Sequence, residues 1–335
     1  MQTRATIRDV AKKANVSLMT VSRVVNKKGN TSKATTSKVL KAIKELNYRP
    51  NITARSLAAK KSDFIAIIVP DISNPFFSEM VKGAEDFARE NGYNIFLGDT
   101  EGKVELEKEY IDAAINRMAD GIILVAPRLE DNLICKINDN IPLVIVDRSI
   151  NKNDVLQVYI DNLKGAMSAV EYLINLNHKH IAFLSGPKDV LDSLQREKGY
   201  IMALKKHNIP INPKLMLTSD FKFESGRYAF EKFFSNYPKP TAIFASNDIM
   251  AFGLIQRAHE MNVKVPKDVS IVGFDDISLS SLVNPPLTTV RHPMLKMGIK
   301  AVELLINKLD NQLDTKINFN LENTLIVRKS TRKIK

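Results

Sequence analysis

The stretch "NVSLMTVSRVVN", residues 15–26, combines a short polar turn with the apolar spacing of a helix. Ser17 is a favourable N-cap residue because its hydroxyl can accept a hydrogen bond from a backbone N–H of the first turn. Spacings of three and four predict an inward stripe made of Val21, Val24 and Val25. The other faces carry polar, basic and exposed apolar side chains, namely Leu18, Met19, Ser22 and Arg23. Such an outward face is expected to contact a partner.

Two further helices are predicted on either side of this stretch. The first begins at Thr6, where Asp9 three residues later completes a capping-box pattern, and it ends at Asn15. The third covers about residues 33–46, and its predicted buried side chains are Val39, Leu40, Ile43 and Leu46. Two short helices joined by a tight turn and braced by a third form a helix-turn-helix domain.

The positive charge of the chain is concentrated at its N-terminus. Residues 1–61 contain ten lysines and five arginines against only Asp9 and Glu45, a net charge of +13. The remaining residues carry 34 basic and 35 acidic side chains, a net charge of −1. A positive field concentrated on one small module is typical of nucleic-acid binding. A merely solvated basic tail would lack the periodic apolar residues seen here.

A helix that enters the major groove needs hydrogen-bond donors and apolar groups along one face. Arg23 can donate two hydrogen bonds to the edge of a guanine, and Leu18 and Met19 can pack on thymine methyl groups. Core filling is the alternative for the two apolar residues. For the basic residues of the third helix, phosphate contact and simple solvation remain equally open interpretations: Lys38, Lys41 and Lys44.

From Phe64 onward, short apolar strands alternate with amphipathic helices, which is typical of parallel α/β units. Strands are predicted at residues 64–70, 93–99, 121–127, 142–148, 180–186, 241–248 and 269–276. Ligands of doubly wound sheets bind beyond the carboxyl ends of the strands. Polar pairs follow four of these strands and indicate a cleft: Asp71 and Asn74, Asp147 and Arg148, Asn247 and Asp248, and Asp275 and Asp276.

Several other functions are disfavoured by the sequence. There is no glycine-rich phosphate loop, and Cys135, the single cysteine, can form no internal disulfide. The histidines show no metal-ligand spacing, so no metal and no cofactor are expected, and His178 and His180 are predicted to be exposed. The first residues lack a signal-peptide core and no apolar run is long enough to span a membrane, so we expect a soluble cytoplasmic chain without a membrane partner.

In its order of motifs, nearly the whole chain resembles the LacI (lactose repressor) family of transcriptional regulators. The resemblance rests on "TIRDVAKKANVSLMTVSRVVN" at 6–26, "LNYRPNITARSLA" at 46–58, "DISNPFF" at 71–77, "SNDIMAFG" at 246–253, "VSIVGFDD" at 269–276 and "PPLTTV" at 285–290. It implies a helix-turn-helix domain at 1–50, a hinge helix at 51–61 and a two-lobed α/β sensor at 62–335. The sensor lobes would be doubly wound parallel sheets like those of ribose-type periplasmic binding proteins, with the chain crossing between them three times.

The same resemblance implies a DNA-binding set. Its members in the first domain are Thr6, Arg8, Ser17, Leu18, Met19, Thr20, Ser22, Arg23 and Asn26. Its members in the hinge are Asn51, Arg55, Leu57 and Ala58. The hinge helix is expected to fold on the operator and to insert Leu57 into a base step of the minor groove. A plain interdomain linker is the alternative for this segment.

An effector set follows in the sensor. It comprises Asn74, Phe76, Phe77, Asp147, Arg148, Arg196, Phe221, Asn247, Asp275 and His292. His292 departs from the family pattern, which usually has glutamine there. Core packing is an equal alternative for Phe76 and Phe77. Helix capping is an alternative for Asn247 and Asp275, and a turn with a surface ion pair is one for Asp147 and Arg148.

The resemblance predicts a homodimer that binds a palindromic double-stranded DNA operator under the control of a small sugar or sugar phosphate. A regulator of the same family that responds to a phosphorylated partner protein is one alternative, and a sugar-binding or sugar-modifying protein is another. The C-terminal segment "TLIVRKSTRKIK" shows no added heptad segment for tetramer formation, and its basic residues are expected to be solvated.

Overall fold

A computed structural model describes residues 5–25, 31–48, 61–151, 154–235, 239–312 and 318–335. The chain divides into two compact units, Met1–Asp63 and Phe64–Lys335. Five residues of the predicted DNA-binding set lie outside the described residues: Asn26, Asn51, Arg55, Leu57 and Ala58.

The first unit contains three helices, α1 (Ile7–Ala14), α2 (Leu18–Val25) and α3 (Lys33–Glu45). The capping box of α1 is formed, because Thr6 and Asp9 exchange side-chain and backbone hydrogen bonds. Asn15 ends α1 in the left-handed conformation with φ at 52°, which asparagine tolerates better than most residues. The sequence therefore sets both ends of the first helix.

The core of this unit is small and contains Val10, Val21 and Val39, none of which is exposed. Val24 is also buried and Val25 is partly buried, so the predicted inward stripe of α2 is confirmed. The predicted burial of Leu40 is wrong, because 54% of that residue is exposed. Ala42 fills the corresponding place, since it lies three residues after Val39 on the same face of α3.

The second unit contains two α/β lobes, each built on a mainly parallel β-sheet. The elements of its first half are β1 (Phe64–Val69), α4 (Pro75–Glu90), β2 (Asn94–Asp99), α5 (Val104–Asn116), β3 (Gly121–Val125), α6 (Asp131–Asn140), β4 (Leu143–Val146) and β5 (Leu156–Ile160). Those of its second half are α7 (Asn162–Asn175), β6 (Ile181–Ser185), α8 (Leu191–Lys206), β7 (Met216–Thr218), α9 (Phe223–Ser235), β8 (Ala242–Ala245), α10 (Asp248–Glu260), β9 (Ser270–Asp275), β10 (Thr288–Arg291), α11 (Met294–Leu309), β11 (Asn318–Leu321) and β12 (Thr324–Ile326).

Each sheet has six strands. The first, which defines lobe 1, has the order β11-β5-β4-β3-β1-β2 and is entirely parallel. The second, which defines lobe 2, has the order β12-β10-β9-β8-β6-β7, and only its β10–β12 pair is antiparallel. The predicted pair of doubly wound sheets is therefore present.

The chain passes between the lobes three times, as predicted. The passages lie between β5 and α7, between β10 and α11, and between β11 and β12. The first and third are joined by a hydrogen bond from Asn323 Nδ2 to the carbonyl of Asp161 at 2.8 Å. His292 lies on the second passage. Short crossing segments of this kind permit a change in the angle between two lobes.

All seven predicted strands are present, and five more were not predicted. The unpredicted strands are β5, β7, β10, β11 and β12. β7 and β12 have three residues each, too few to show alternation, and β10 and β11 carry polar residues in "TTVR" and "NFNL". Pairing with a neighbouring strand, rather than local pattern, determines these elements.

The C-terminal tail is packed on lobe 2 through its backbone and Ser330, while four of its basic residues are exposed as expected: Lys329, Arg332, Lys333 and Lys335. The Ser330 hydroxyl accepts a hydrogen bond from Thr288 N at 2.8 Å and donates one to the carbonyl of Ile271 at 2.6 Å. Nearer the end, Ile334 N donates to the carbonyl of Leu176 at 3.0 Å. The tail therefore packs along the amino-terminal ends of strands in this lobe.

The expected exposure of His178 is also wrong, whereas His180 is exposed. The imidazole of His178 lies beneath the tail, with Nε2 3.0 Å from the carbonyl oxygen of Arg332 and Nδ1 3.0 Å from Thr241 Oγ1. Burial lowers the pKa of His178, which keeps the ring neutral near pH 7. In the described ranges, no helix is long and apolar enough to cross a membrane.

Val21→Ala tests the small core of the first unit. The substitution removes two buried methyl groups and is expected to destabilise this unit by about 1.5–2.5 kcal/mol. Amide hydrogen exchange of the full chain, resolved by peptide mass spectrometry, should accelerate about tenfold to sixtyfold in residues 5–48 and remain unchanged in the second unit. Leu40→Ala is the matched control, because its exposed side chain should leave exchange nearly unaltered. Equal effects of the two variants would contradict the described core.

Candidate DNA-binding surface and effector cleft

The outward face of α2 presents the side chains that were predicted to contact DNA. The Ser17 hydroxyl caps the helix, accepting a hydrogen bond from Thr20 N at 3.1 Å. Met19 is 64% exposed and Leu18 45% exposed, so neither fills the core of this unit. Arg23 is exposed and its guanidinium donates to Met19 Sδ at 3.6 Å. Thr6 and Arg8 are exposed, and Thr20 and Ser22 are half-buried.

Asp9 and Glu45, the two acidic residues among residues 1–61, are both engaged. The Asp9 carboxylate accepts hydrogen bonds from the backbone and hydroxyl of Thr6 at 2.8 and 2.7 Å. Glu45 forms an ion pair with Lys13 at 2.8 Å, and this contact lowers the pKa of Glu45. The positive field of the remaining lysines and arginines is therefore little reduced by the protein's own carboxylates.

The second unit contains a cleft of about 620 Å³ at the carboxyl ends of strands from both lobes. Eight of the ten predicted effector residues line it: Asn74, Phe76, Phe77, Asp147, Arg196, Phe221, Asn247 and Asp275. This position is expected for a ligand site of doubly wound sheets, because helix N-termini and strand ends converge there. The volume is within the usual range of small-molecule sites.

Arg148 and His292 are not on the wall of this cleft. The Arg148 guanidinium donates to the carbonyls of Pro127 and Leu129 at 2.7 Å each and contacts the Asp131 carboxylate. It therefore fastens the loop after β3. The ion-pair interpretation of neighbouring Asp147 with Arg148 does not match this arrangement, because the partner of Arg148 is Asp131.

His292 lies buried between the two lobes. Its Nε2 is 3.0 Å from Asp147 Oδ1 of lobe 1, and its Nδ1 is 3.9 Å from Asp275 Oδ1 of lobe 2. The ring packs edge-on against Phe76 at 4.8 Å between centroids. Burial lowers the pKa of His292, although Asp147 opposes the shift. A neutral imidazole thus links the carboxylates that end β4 and β9.

Arg196 is buried and held rigidly. Its Nε donates to Asn162 Oδ1 at 2.8 Å, and one terminal nitrogen donates to the carbonyl of Ser246. The guanidinium stacks 4.0 Å from the ring centroid of Phe274 and lies 3.6 Å from Asp275 Oδ1. An arginine fixed in this manner can present its remaining N–H groups to a ligand without reorganisation.

The phenylalanines of the set differ in burial. Phe76 is only 5% exposed and packs mainly in the core, whereas Phe77 is half-buried and meets Phe76 edge to face at 4.9 Å. Phe221 has φ at 67°, a left-handed conformation that is rare for a bulky residue. Its ring occupies the space where a Cβ of Gly186 would lie, 2.1 Å from the ring carbon Cζ. Gly186 therefore provides the room for an aromatic side chain at the cleft.

The capping interpretation holds for Asn247, and Asn74, for which capping was not predicted, caps a helix in the same way. Asn74 Oδ1 accepts from Phe76 N at 3.0 Å at the start of α4, and Asn247 Oδ1 accepts from Met250 N at 2.9 Å at the start of α10. Asn247 also donates through Nδ2 to the carbonyl of Phe221 at 3.0 Å. Asp275 caps no helix, since β9 ends at this residue.

Asp192 lines the cleft and was missed from the sequence. It lies on the first turn of α8, one turn before Arg196, so the spacing of four could have placed it on the same face. Burial raises the pKa of Asp192 well above the ordinary carboxyl value, and the charge of Asp147 adds to the shift. Burial also raises the pKa of Asp275, against the effect of Arg196.

Asp248 is buried beside the cleft, where its hydrogen bonds hold neighbouring segments of lobe 2 together. It accepts hydrogen bonds from Ile277 N at 3.0 Å and from the hydroxyls of Ser280 and Thr289 at 2.6 Å each. Burial raises its pKa to about 7 against these three donors. Within the described ranges, no three histidine, cysteine or acidic side chains are grouped as metal ligands would be.

A helix-turn-helix unit followed by two α/β lobes around a polar cleft defines a class of transcriptional regulators. The "Bacterial regulatory proteins, lacI family" model matches residues 6–51, and the "Periplasmic binding protein-like domain" model matches residues 170–331. The chain therefore belongs to the LacI family, and its relatives below include transcriptional repressors.

Relatives cover nearly the full chain. The HTH-type transcriptional repressor CytR of Escherichia coli (strain K12) is 36% identical over 99% of this chain and 97% of its own. The ribose operon repressor of Halalkalibacterium halodurans is 38% identical over 98% of this chain and 97% of its own. The solved structure of the lac repressor dimer bound to operator and the anti-inducer ONPF is 29% identical, covering 98% of this chain and 100% of that one with a TM-score of 0.88.

Asp248→Asn tests the buried carboxylate. Because its folded pKa lies above its unfolded value, the folded state binds the proton more tightly, and the free energy of unfolding falls as the pH rises from about 4 to about 7. The variant lacks this titration, so its stability should decline less over that interval. Thermal melts of the second unit between pH 4.5 and 8 compare the two proteins, and parallel profiles would contradict the raised pKa.

Proposed function

We propose that this protein is a repressor of sugar-use genes that binds a palindromic operator as a homodimer and is controlled by a small sugar, such as ribose or a related pentose or hexose. The cleft carries this proposal, because it brings carboxylates, an anchored arginine and aromatic rings to the junction of two lobes. The names of two relatives, a ribose operon repressor and the lac repressor, support it.

The cleft chemistry suits a sugar. Hydroxyl groups donate to Asp147 and Asp275 and can accept from Arg196, which together define an orientation. The C–H faces of a sugar ring pack on aromatic side chains, and Phe77 and Phe221 are available on the two lobes. A phosphorylated partner protein would not require this enclosed set, so the sugar is the better supported effector.

Control of DNA binding follows from differential binding to two lobe orientations. A ligand that contacts Asp147 of lobe 1 and Asp275 of lobe 2 stabilises the orientation in which both contacts form. Such a change would alter the separation of the two hinge segments of a dimer and the folding of the proposed hinge helix around Leu57. A coupling of about 1–3 kcal/mol changes operator affinity by roughly 5- to 150-fold.

Arg23→Lys tests base reading by α2. Lysine keeps the charge but cannot form the bidentate contact with a guanine, so operator affinity should fall by about 1–3 kcal/mol while affinity for unrelated DNA stays similar. The operator is first selected from a random duplex library with the unaltered protein. Fluorescence anisotropy at several salt concentrations then gives both affinities. Equal losses on operator and unrelated DNA would show that Arg23 contacts only phosphates.

Asp147→Asn tests the effector site. Loss of a buried carboxylate at the cleft should abolish the change in operator affinity caused by the effector sugar and leave sugar-free operator binding intact. Anisotropy on the selected operator, with the sugar titrated, measures both quantities. Asp139→Asn on the exposed surface of α6 is the control, and a retained response in the Asp147 variant would contradict the proposed cleft function.

A further inference from the structure

The inner end of the cleft concentrates acidic side chains. Three carboxylates lie there almost completely buried: Asp147 at 4% exposure, Asp192 at 8% and Asp275 at 5%. They come from the end of β4, the first turn of α8 and the end of β9. Like charges that share a desolvated site repel each other unless a partner supplies donors or positive charge.

The described part of the protein does not supply enough donors for them. Asp192 has no side-chain hydrogen bond or ion pair among the described residues, although it is more than nine-tenths buried. Asp275 has only Arg196 at 3.6 Å and His292 at 3.9 Å nearby. Asp147 Oδ1 lies 3.0 Å from His292 Nε2 without hydrogen-bond geometry. The inner cleft is thus rich in acceptors and poor in donors.

The basic side chains around the cleft are mostly engaged elsewhere. Lys103 pairs with Glu101 at 2.6 Å, and Arg128 pairs with Asp189 at 3.0 Å. Arg196 already donates hydrogen bonds to Asn162 and to the Ser246 carbonyl. Lys222 lies exposed at the mouth of the cleft. A phosphate group carries about −1.5 to −2 charges at pH 7 and only acceptor oxygens when fully ionised. Among the described residues, the inner cleft offers a phosphate only Arg196, whose charge already faces the Asp275 carboxyl group at 3.6 Å.

Helix N-termini at the cleft could favour an anion, since their N–H groups carry partial positive charge. At α8, however, the protein's own carboxylate occupies this position, because Asp192 is the second residue of that helix. The partial positive charge of this N-terminus therefore acts on Asp192 and is not free for a ligand anion. The acidic side chains of the inner cleft therefore lack hydrogen-bond donors among the described residues.

We propose, on the basis of the sugar-controlled function above, that the effector is phosphate-free and rich in O–H or N–H donors, and that Asp192 determines this specificity. Two hydroxyl groups, or one amino group, of the ligand donate to Asp192 beside Asp147, while Arg196 orients the remainder. The carboxylate accepts these hydrogen bonds and repels the phosphorylated form of the same compound.

The test uses matched compounds with the full chain. Thermal shift and isothermal titration calorimetry are run with D-ribose and D-ribose 5-phosphate, and with D-glucose, D-glucosamine and D-glucose 6-phosphate. At least one phosphate-free compound should raise the Tm by mass action, and its phosphate should bind at least tenfold more weakly. Preference for glucosamine over glucose, lost in Asp192→Asn, would identify the donor as an ammonium group; binding of a neutral sugar would identify hydroxyl groups.

The Asp192→Asn variant distinguishes a role of Asp192 in ligand specificity from a purely structural role. The amide keeps the size, removes the charge and replaces one acceptor oxygen with a donor, so affinity for the phosphate-free ligand should fall about tenfold or more and discrimination against its phosphate should shrink. The ligand-free Tm should stay equal or rise, because the substitution removes the unfavourable proximity of Asp192 to the Asp147 carboxyl group. A lower Tm with unaltered discrimination would mean a purely structural role. Asp139→Asn on α6 should match the unaltered protein in both measurements.

The outcomes that would contradict the Asp192 specificity differ from the outcome that would contradict the sugar-controlled function. Tight binding of a sugar phosphate without binding of its free sugar would overturn this specificity and leave a sugar-type effector in place. An unchanged affinity and selectivity in Asp192→Asn would remove Asp192 from recognition. Absence of binding by every compound, with operator binding intact, would count against the sugar-controlled function itself and therefore against this inference.

Discussion

The two lobes of the second unit meet over buried charge, and that constraint organises the cleft. A carboxylate removed from water is destabilised unless donors or cations approach it. Asp147 belongs to lobe 1 and Asp275 to lobe 2, and neutral His292 on a crossing segment lies between them. Arg196 remains fixed by Asn162 and Ser246, so the positive charge of the site is positioned before a ligand arrives. In the complex that we propose, the ligand would supply the donors that the protein omits.

The first unit is stabilised by a small core, although it also exposes large apolar side chains. Its core depends on Val10, Val21 and Val39, while the face of α2 that could have enlarged this core carries Leu18 and Met19 outward. Exposure of large apolar side chains gives up burial free energy that a larger core would have gained. The proposed contact of this face with DNA would account for that loss, because thymine methyl groups can cover the same side chains on binding.

Much of the architecture could be predicted from the sequence, because buried parallel strands such as "FIAIIV" are continuous apolar runs and α1 has explicit caps. Short or polar strands such as β7 and β11 could not be predicted, since they form only by hydrogen bonding to a neighbouring strand. Most effector residues reach the cleft because strand ends converge there. The direction of Arg148 depends on carbonyls of a distant loop, and the burial of His178 depends on the C-terminal tail. Neither contact is visible in a local pattern.

The position of β11 has a consequence for synthesis on the ribosome. Lobe 1 completes five strands by Ile160, but its edge strand β11 begins only at Asn318, after five of the six strands of lobe 2 have been translated. At about 5–20 residues per second, β5 waits on the order of ten to thirty seconds with an unpaired edge. Open strand edges promote pairing with other chains. The nascent protein therefore passes through an aggregation-prone stage, and early chaperone protection of this edge is expected to raise its folding yield.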